Sequence, residues 1–244
     1  MQMPDGTVRD RMKGIPQGGV ISPLLVNLFL HYAFDKWMDK KHPGKPFARY
    51  ADDAVAHCCS LDEVKKLRES LEGRLKECKL ELHPTKTRII YCKDDDRRGN
   101  YPDTSFDFLG YTFRPRRSKN KYGKFFINFT PAVSRKAQIA MRQEIRRWNL
   151  HLRNGKSIND LSSMFNPVFK GWINYYGCYY KAEMYGVLKH MNRALVRWAM
   201  RKYKKLARHQ RRATYWLGRL PEGNQSCSSN ENGDSTRGWM MGAG

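Results

Sequence analysis

The chain has 244 residues, a formal net charge of +23 and 40% hydrophobic side chains. That is enough apolar material for one or two domains with a core. No apolar run of about 20 residues exists to cross a membrane, and residues 1–19 are too polar for a secretory signal. The six cysteines form no C-x-x-C pair, which argues against a zinc ribbon or a redox motif and fits reduced thiols in a cytoplasmic protein.

The charge is uneven. Residues 1–130 carry 25 basic and 17 acidic side chains (+8), residues 131–220 carry 20 and 3 (+17), and residues 221–244 carry 1 and 3 (−2). A basic stretch interleaved with Trp and Tyr suits a phosphate backbone and unstacked bases. Anionic membrane is the competing target, with no segment to insert.

In chain order, Pro4 to Thr7 reads as a turn and residues 8–13 as a returning strand. A loop follows, Gly14-Ile15-Pro16-Gln17-Gly18-Gly19, whose paired glycines permit close backbone approach to a ligand or simply make a loop into a helix. Ser22 can cap that helix and Pro23 fits its first turn. Leu25, Leu28, Phe29, Tyr32 and Ala33 recur at helical spacing and predict a core face. Two short apolar runs then flank Asp52-Asp53, which predicts a hairpin with Tyr50 to Asp53 at its turn. Adjacent carboxylates are common in surface turns. They are also a hard oxygen pair that suits magnesium, and two such ions clamp the attacking and leaving oxygens of a phosphoryl transfer.

Ser60 and Glu63 form a capping-box pattern, and Val64, Leu67, Leu71, Leu75 and Cys78 predict the buried face of a helix ending near Lys79. Residues 80–82 and 88–92 read as short strands with Lys86 in the bend between them. Residues 106–113 read as one strand and 124–130 as its antiparallel partner, joined by a basic hairpin tip at 114–123. His57 and His83 have no partners at ligand spacing. From Pro131 the pattern turns helical: one helix over 132–152, a second starting at Ser157-Ile158-Asn159-Asp160, and a last one over about 182–217. Nine basic residues and no acid lie between Arg193 and Arg212. A solvated face is the default for such a run, but the excess favours contact with an RNA backbone through Arg146, Arg147, Arg197, Arg201, Lys202, Lys204, Lys205 and Arg208. Residues 221–244 are rich in Gly, Asn and Ser and read as a disordered tail.

The Gln17-Gly18-Gly19 loop, Tyr50-Ala51-Asp52-Asp53, Leu82-His83-Pro84-Thr85-Lys86 and Phe106-Asp107-Phe108-Leu109-Gly110-Tyr111 follow one another in this order. Together with Gly171-Trp172-Ile173-Asn174-Tyr175-Tyr176 they resemble the late palm motifs and the maturase (thumb) signature of the reverse transcriptase/maturase encoded by bacterial group II introns. The resemblance covers about residues 1–220. It implies an α+β fold, with a partial palm of antiparallel sheet and helices over 1–130 and a helical, RNA-binding maturase domain over 131–220. It implies that Asp52 and Asp53 are catalytic metal ligands for two Mg2+ ions and that Lys86 approaches the departing pyrophosphate. Gln17, Gly18, Gly19 and Tyr50 then bind nucleotide and template, and Leu109, Gly110 and Tyr111 are the primer grip.

The family's palm takes a further aspartate from a strand well before the Gln-Gly-Gly loop, and neither Asp5 nor Asp10 fits that position. The fingers are missing as well. The expectation is therefore the C-terminal part of such an enzyme, inactive as a polymerase alone, acting on intron RNA and a DNA primer or target. An N-terminal reverse-transcriptase fragment or a homodimer partner would complete it. The alternative is a non-catalytic maturase-type remnant that binds RNA as a splicing cofactor.

Overall fold

A computed structural model describes residues 19–97 and 99–219. The residues 8–13 strand, Gln17, Gly18 and the 221–244 tail lie outside them. The architecture is α+β, in two compact units, Met1–Ile89 and Ile90–Gly244. The strands around Leu109, Gly110 and Tyr111 therefore share a unit with the basic helices of 131–219.

The described part of the first unit opens with α1 (Ser22–Leu30), which runs through a π-type turn, His31–Asp35, into α2 (Lys36–Lys41). Ser22 is the first helical residue, not the cap that its side chain suggests; Ile21 holds the cap position and Pro23 sits in the first turn. The hairpin β1 (Phe47–Tyr50) and β2 (Asp53–Ala56) follows, then α3 (Leu61–Glu77). Phe34 and Met38, four residues apart, bury themselves against Leu67 of α3, with Phe47, Ala56, Cys58 and Leu71 packed around them. The Phe34 and Phe47 rings meet edge to face at 5.4 Å. Ser60 caps α3 by accepting from the Glu63 amide at 3.2 Å, and the Glu63 carboxylate reaches back to the Cys59 amide at 2.8 Å.

The expected core face of α1 is overturned. Leu25, Leu28, Phe29 and Tyr32 are exposed and only Ala33 is buried, because the helix makes its core through Phe34 and Met38 on the π turn and α2. Residues 80–82 and 88–92 form no strand. A strand needs a ladder partner, and among the described residues neither segment pairs in a ladder; the second touches a later segment through the Tyr91 amide, which donates to the Asp103 carbonyl at 2.9 Å.

The second unit holds a sheet in the order β3 (Phe106–Phe108), β4 (Tyr111–Lys119), β5 (Phe125–Val133). The single strand expected over 106–113 is a hairpin. Phe108 pairs with Tyr111, and Leu109 and Gly110 both take positive φ, 50° and 78°. That is the primed two-residue turn whose twist suits a tight hairpin, with Gly at the second central position. The basic tip expected over 114–123 is mostly strand: β4 runs to Lys119 and only residues 120–123 turn. Arg116 is buried on β4 and donates to the carbonyls of Thr112 and Thr130.

The helix expected from Ala132 begins later, because β5 continues to Val133. Ser134 caps α4 (Arg135–Arg147) by accepting from the Ala137 amide at 3.1 Å. α5 (Ile158–Tyr176) starts where expected, and a capping box closes its start: Ser157 Oγ accepts from the Asp160 amide at 3.1 Å and Asp160 accepts from the Ser157 amide at 2.7 Å. The last expected helix divides into α6 (Tyr185–Lys202) and α7 (Gln210–Gly218), with a 3-10 turn at Lys204–Leu206 between them. Tyr203 leaves the helix in extended backbone and Arg208 takes φ 62°. The core lies between α4, α5 and α6. Trp148 stacks on Phe165 at 4.4 Å and on Trp172 at 5.7 Å, and the fully buried Trp198 donates its indole N–H to the Arg153 carbonyl at 3.1 Å.

Candidate active site and nucleic-acid interface

Tyr50 and Asp53 are directly paired, so Ala51 and Asp52 alone form the hairpin turn, with Ala51 at φ 53°. Asp52 and Asp53 are exposed, as is Tyr50. What holds this turn is Arg49. Its Nε and Nη2 grip both carboxylate oxygens of Asp35 at 2.7 Å each, and its Nη1 donates to Asn27 Oδ1 at 3.1 Å and to the Ala51 carbonyl at 2.8 Å. A planar guanidinium matches a carboxylate in this fork geometry. The bond from Arg49 holds the Asp35 carboxyl below its usual range, against the opposing effect of burial. The hairpin is thereby fastened to the helix that precedes it, one residue from the first of the two acids. Lys86 lies exposed in the turn over residues 84–86, and Gly19 precedes α1, where its carbonyl accepts from the Ser22 amide at 3.2 Å.

In the second unit the Leu109-Gly110-Tyr111 turn sits against the aromatic end of α5. Tyr175 Oη donates to the Leu109 carbonyl at 2.9 Å, and Tyr111 Oη donates to the Tyr175 carbonyl. The Tyr111 ring lies 5.3 Å from that of Tyr175, 5.4 Å from Tyr176 and 5.6 Å from Tyr179. Burial, followed by Cys178 and the neighbouring phenols, pushes the Tyr111 phenol up to about 12, so it stays a donor. A Cβ on Gly110 would meet Tyr176 Oη at 2.7 Å. Glycine is needed here on both counts, backbone and space.

Of the eight basic residues expected to meet RNA, Arg146, Arg147, Arg197, Arg201, Lys204, Lys205 and Arg208 are exposed. Arg147 pairs with Glu144 at 3.4 Å. Lys202 is half-buried and spoken for: its Nζ donates to the carbonyls of Asn154 at 3.0 Å and Lys156 at 2.7 Å, ahead of the α5 capping box.

The reverse transcriptase (RNA-dependent DNA polymerase) family matches residues 2–113, and the group II intron maturase-specific domain matches residues 139–216. The chain belongs to the group II intron reverse transcriptase/maturase family. It is also 28% identical to protein YkfC of Escherichia coli (strain K12), over 50% of this chain and 37% of YkfC, so the chain spans well under half of that relative's length.

Reverse transcriptases use divalent metal ions. Magnesium is commonly held by one or two carboxylates, with substrate phosphates and water completing its octahedron. Asp52 and Asp53, hard donors open to solvent, fit that role. Among the described residues no group of three His, Cys, Asp or Glu is placed to hold a metal ion, and no helix among them is long and apolar enough to cross a membrane.

Two features of the chain were not legible in the sequence. The Arg49–Asp35 fork joins residues 14 apart with no motif to announce it. His190 carries no ligand spacing either, yet its Nε2 is buried without a hydrogen-bond partner. Burial pushes its imidazole below the usual value, helped by Arg146, Arg197, Arg142 and Arg193.

Proposed function

We propose that the chain serves group II intron splicing and retrotransposition as an RNA-directed DNA polymerase/maturase. In this reading residues 1–130 form reverse-transcriptase palm surface and residues 131–220 a helical thumb that holds intron RNA. The observation that carries it is the docking of the Leu109-Gly110-Tyr111 turn onto Tyr175 and Tyr176. The reverse-transcriptase match ends and the maturase signature packs at the same place, which gives a primer-binding turn a rigid helical backing.

Asp52 and Asp53 bind the divalent ions on the hairpin tip that Arg49 steadies. When bound, those ions supply charge neutralisation for nucleotidyl transfer. Lys86 adds positive charge for the leaving pyrophosphate, and Gln17, Gly18, Gly19 and Tyr50 face nucleotide and template. The exposed Leu24, Leu25, Leu28 and Phe29 support packing of the first unit against more protein, an N-terminal reverse-transcriptase segment or a second copy of the chain.

A second reading, a splicing cofactor without polymerase activity, is favoured by the donor count at the hairpin, where the described residues place no third acid with Asp52 and Asp53. One comparison separates the two. Wild type and Asp52→Asn/Asp53→Asn are assayed for primer extension on an RNA template, with and without an added N-terminal reverse-transcriptase fragment, and for splicing of a group II intron. Extension lost in the variant with splicing retained supports the polymerase/maturase. Splicing without extension under every condition supports the cofactor, and neither activity would refute both.

A further inference from the structure

α4 and α6 pack against each other, and the Arg142 side chain of α4 reaches Gly186 of α6, where a Cβ would come within 3.0 Å of Arg142 Nη2. The two helices bring together a seam of like charge. Arg142 and Arg146, four residues apart, come from α4. His190, Arg193 and Arg197 come from α6 at spacings of three and four, which places them on one face. Arg142 Nη2 is held by Gln138 Oε1 at 2.7 Å and Arg197 Nε by the Arg193 carbonyl at 3.3 Å, so the side chains are oriented. No carboxylate stands among the charged groups that act on His190, which are these four arginines of the two helices. Two polar atoms of the seam, Arg142 Nε and His190 Nε2, are buried with no hydrogen-bond partner. Like charges and unpaired buried polar atoms both destabilise a protein that stands alone, and a bound polyanion relieves the first.

We propose that this seam is a seat for an RNA backbone phosphate and that His190 takes up a proton when the phosphate binds. The inference rests on the maturase reading and extends it to one subsite. The coupling runs through the field and needs no direct contact. Burial and four arginines disfavour the protonated imidazole in the free protein; a phosphate between the arginines offsets their charge and favours the protonated form. Binding draws one proton from solvent onto an imidazole nitrogen, and dissociation returns it. Binding of RNA is then favoured by falling pH across the range in which histidine titrates.

The test uses the whole chain and a synthetic RNA hairpin. Calorimetric titration at about pH 6, in two buffers of unlike ionisation heat, counts protons taken up. Affinity is followed from about pH 6 to about pH 8 at fixed ionic strength, and should fall about tenfold for each unit by which bound phosphate lifts the His190 pKa. His190→Gln should abolish the uptake and leave an affinity that no longer varies over that interval. If the variant does not fold, the wild-type His190 imidazole resonance decides: its titration midpoint should rise when RNA is added. Binding without proton uptake, uptake that persists in His190→Gln, or a midpoint that does not rise would overturn the inference and leave RNA binding standing. A wild-type chain that binds no RNA at any pH would overturn the maturase reading along with it.

Discussion

Tyr175 donates its phenol proton to the carbonyl of Leu109 at 2.9 Å. This bond ties together two short motifs separated by more than sixty residues, one at the end of the reverse-transcriptase match and one inside the maturase domain. The turn it holds needs positive φ at two successive residues, a conformation that the α5 tyrosines help to enforce.

Gly110→Ala should therefore cost about 1–3 kcal/mol of stability, the usual penalty for a side chain at a strained backbone position. The nearby Tyr176 Oη adds steric conflict. Urea unfolding measures it. A midpoint equal to wild type would mean that the turn is not constrained as described.

Arg49 and Asp35 predict a pH dependence. The folded Asp35 carboxyl lies below its ordinary value of 3.8, chiefly because Arg49 bonds to it. A depressed carboxylate stabilises fully above the unfolded pKa, and that contribution is lost as pH falls through the folded value. Asp35→Asn should thus melt at lower temperature than wild type at neutral pH, and the two should converge below pH 3.8. A constant gap at all pH values would assign the effect to shape alone.

The α5 capping box makes Ser157→Ala a local test of the helix. Replacing a serine cap by alanine should remove about 1 kcal/mol, as a cap does in other proteins. Chemical denaturation gives the number, and an unchanged stability would place the start of α5 elsewhere.

RNA binding should depend steeply on salt, with each phosphate contact adding about 0.7–0.9 to the log–log slope. Neutralising Arg197, Arg201, Lys204 and Lys205 together should flatten that slope by about three units if all four touch phosphates. Neutralising Lys119, Lys121 and Lys124 should change it less. Lys202→Met should act differently, lowering stability more than the slope, because its ammonium is held by the Asn154 and Lys156 carbonyls. Equal slopes in all variants would show diffuse attraction without a dedicated face.

The sequence by itself determined what depends on neighbours in the chain. The Asp52-Asp53 hairpin, the Ser60 and Ser157 caps, and the excess of basic side chains after residue 131 are set by spacings of a few residues, where backbone geometry leaves few alternatives. Local spacing also misled in definite ways. The apolar stripe of α1 has helical period yet faces solvent, since periodicity names a face without naming what covers it. The Leu109-Gly110 turn hid inside an apolar run because β residues flank it on both sides. Only the tertiary structure decided which side chains meet: Arg49 with Asp35, Lys202 with two carbonyls, Tyr175 with Leu109, and His190 with arginines of a second helix. Those pairings depend on how helices cross and strands turn, and a guanidinium or an imidazole acquires its role from partners that the chain brings to it only after folding.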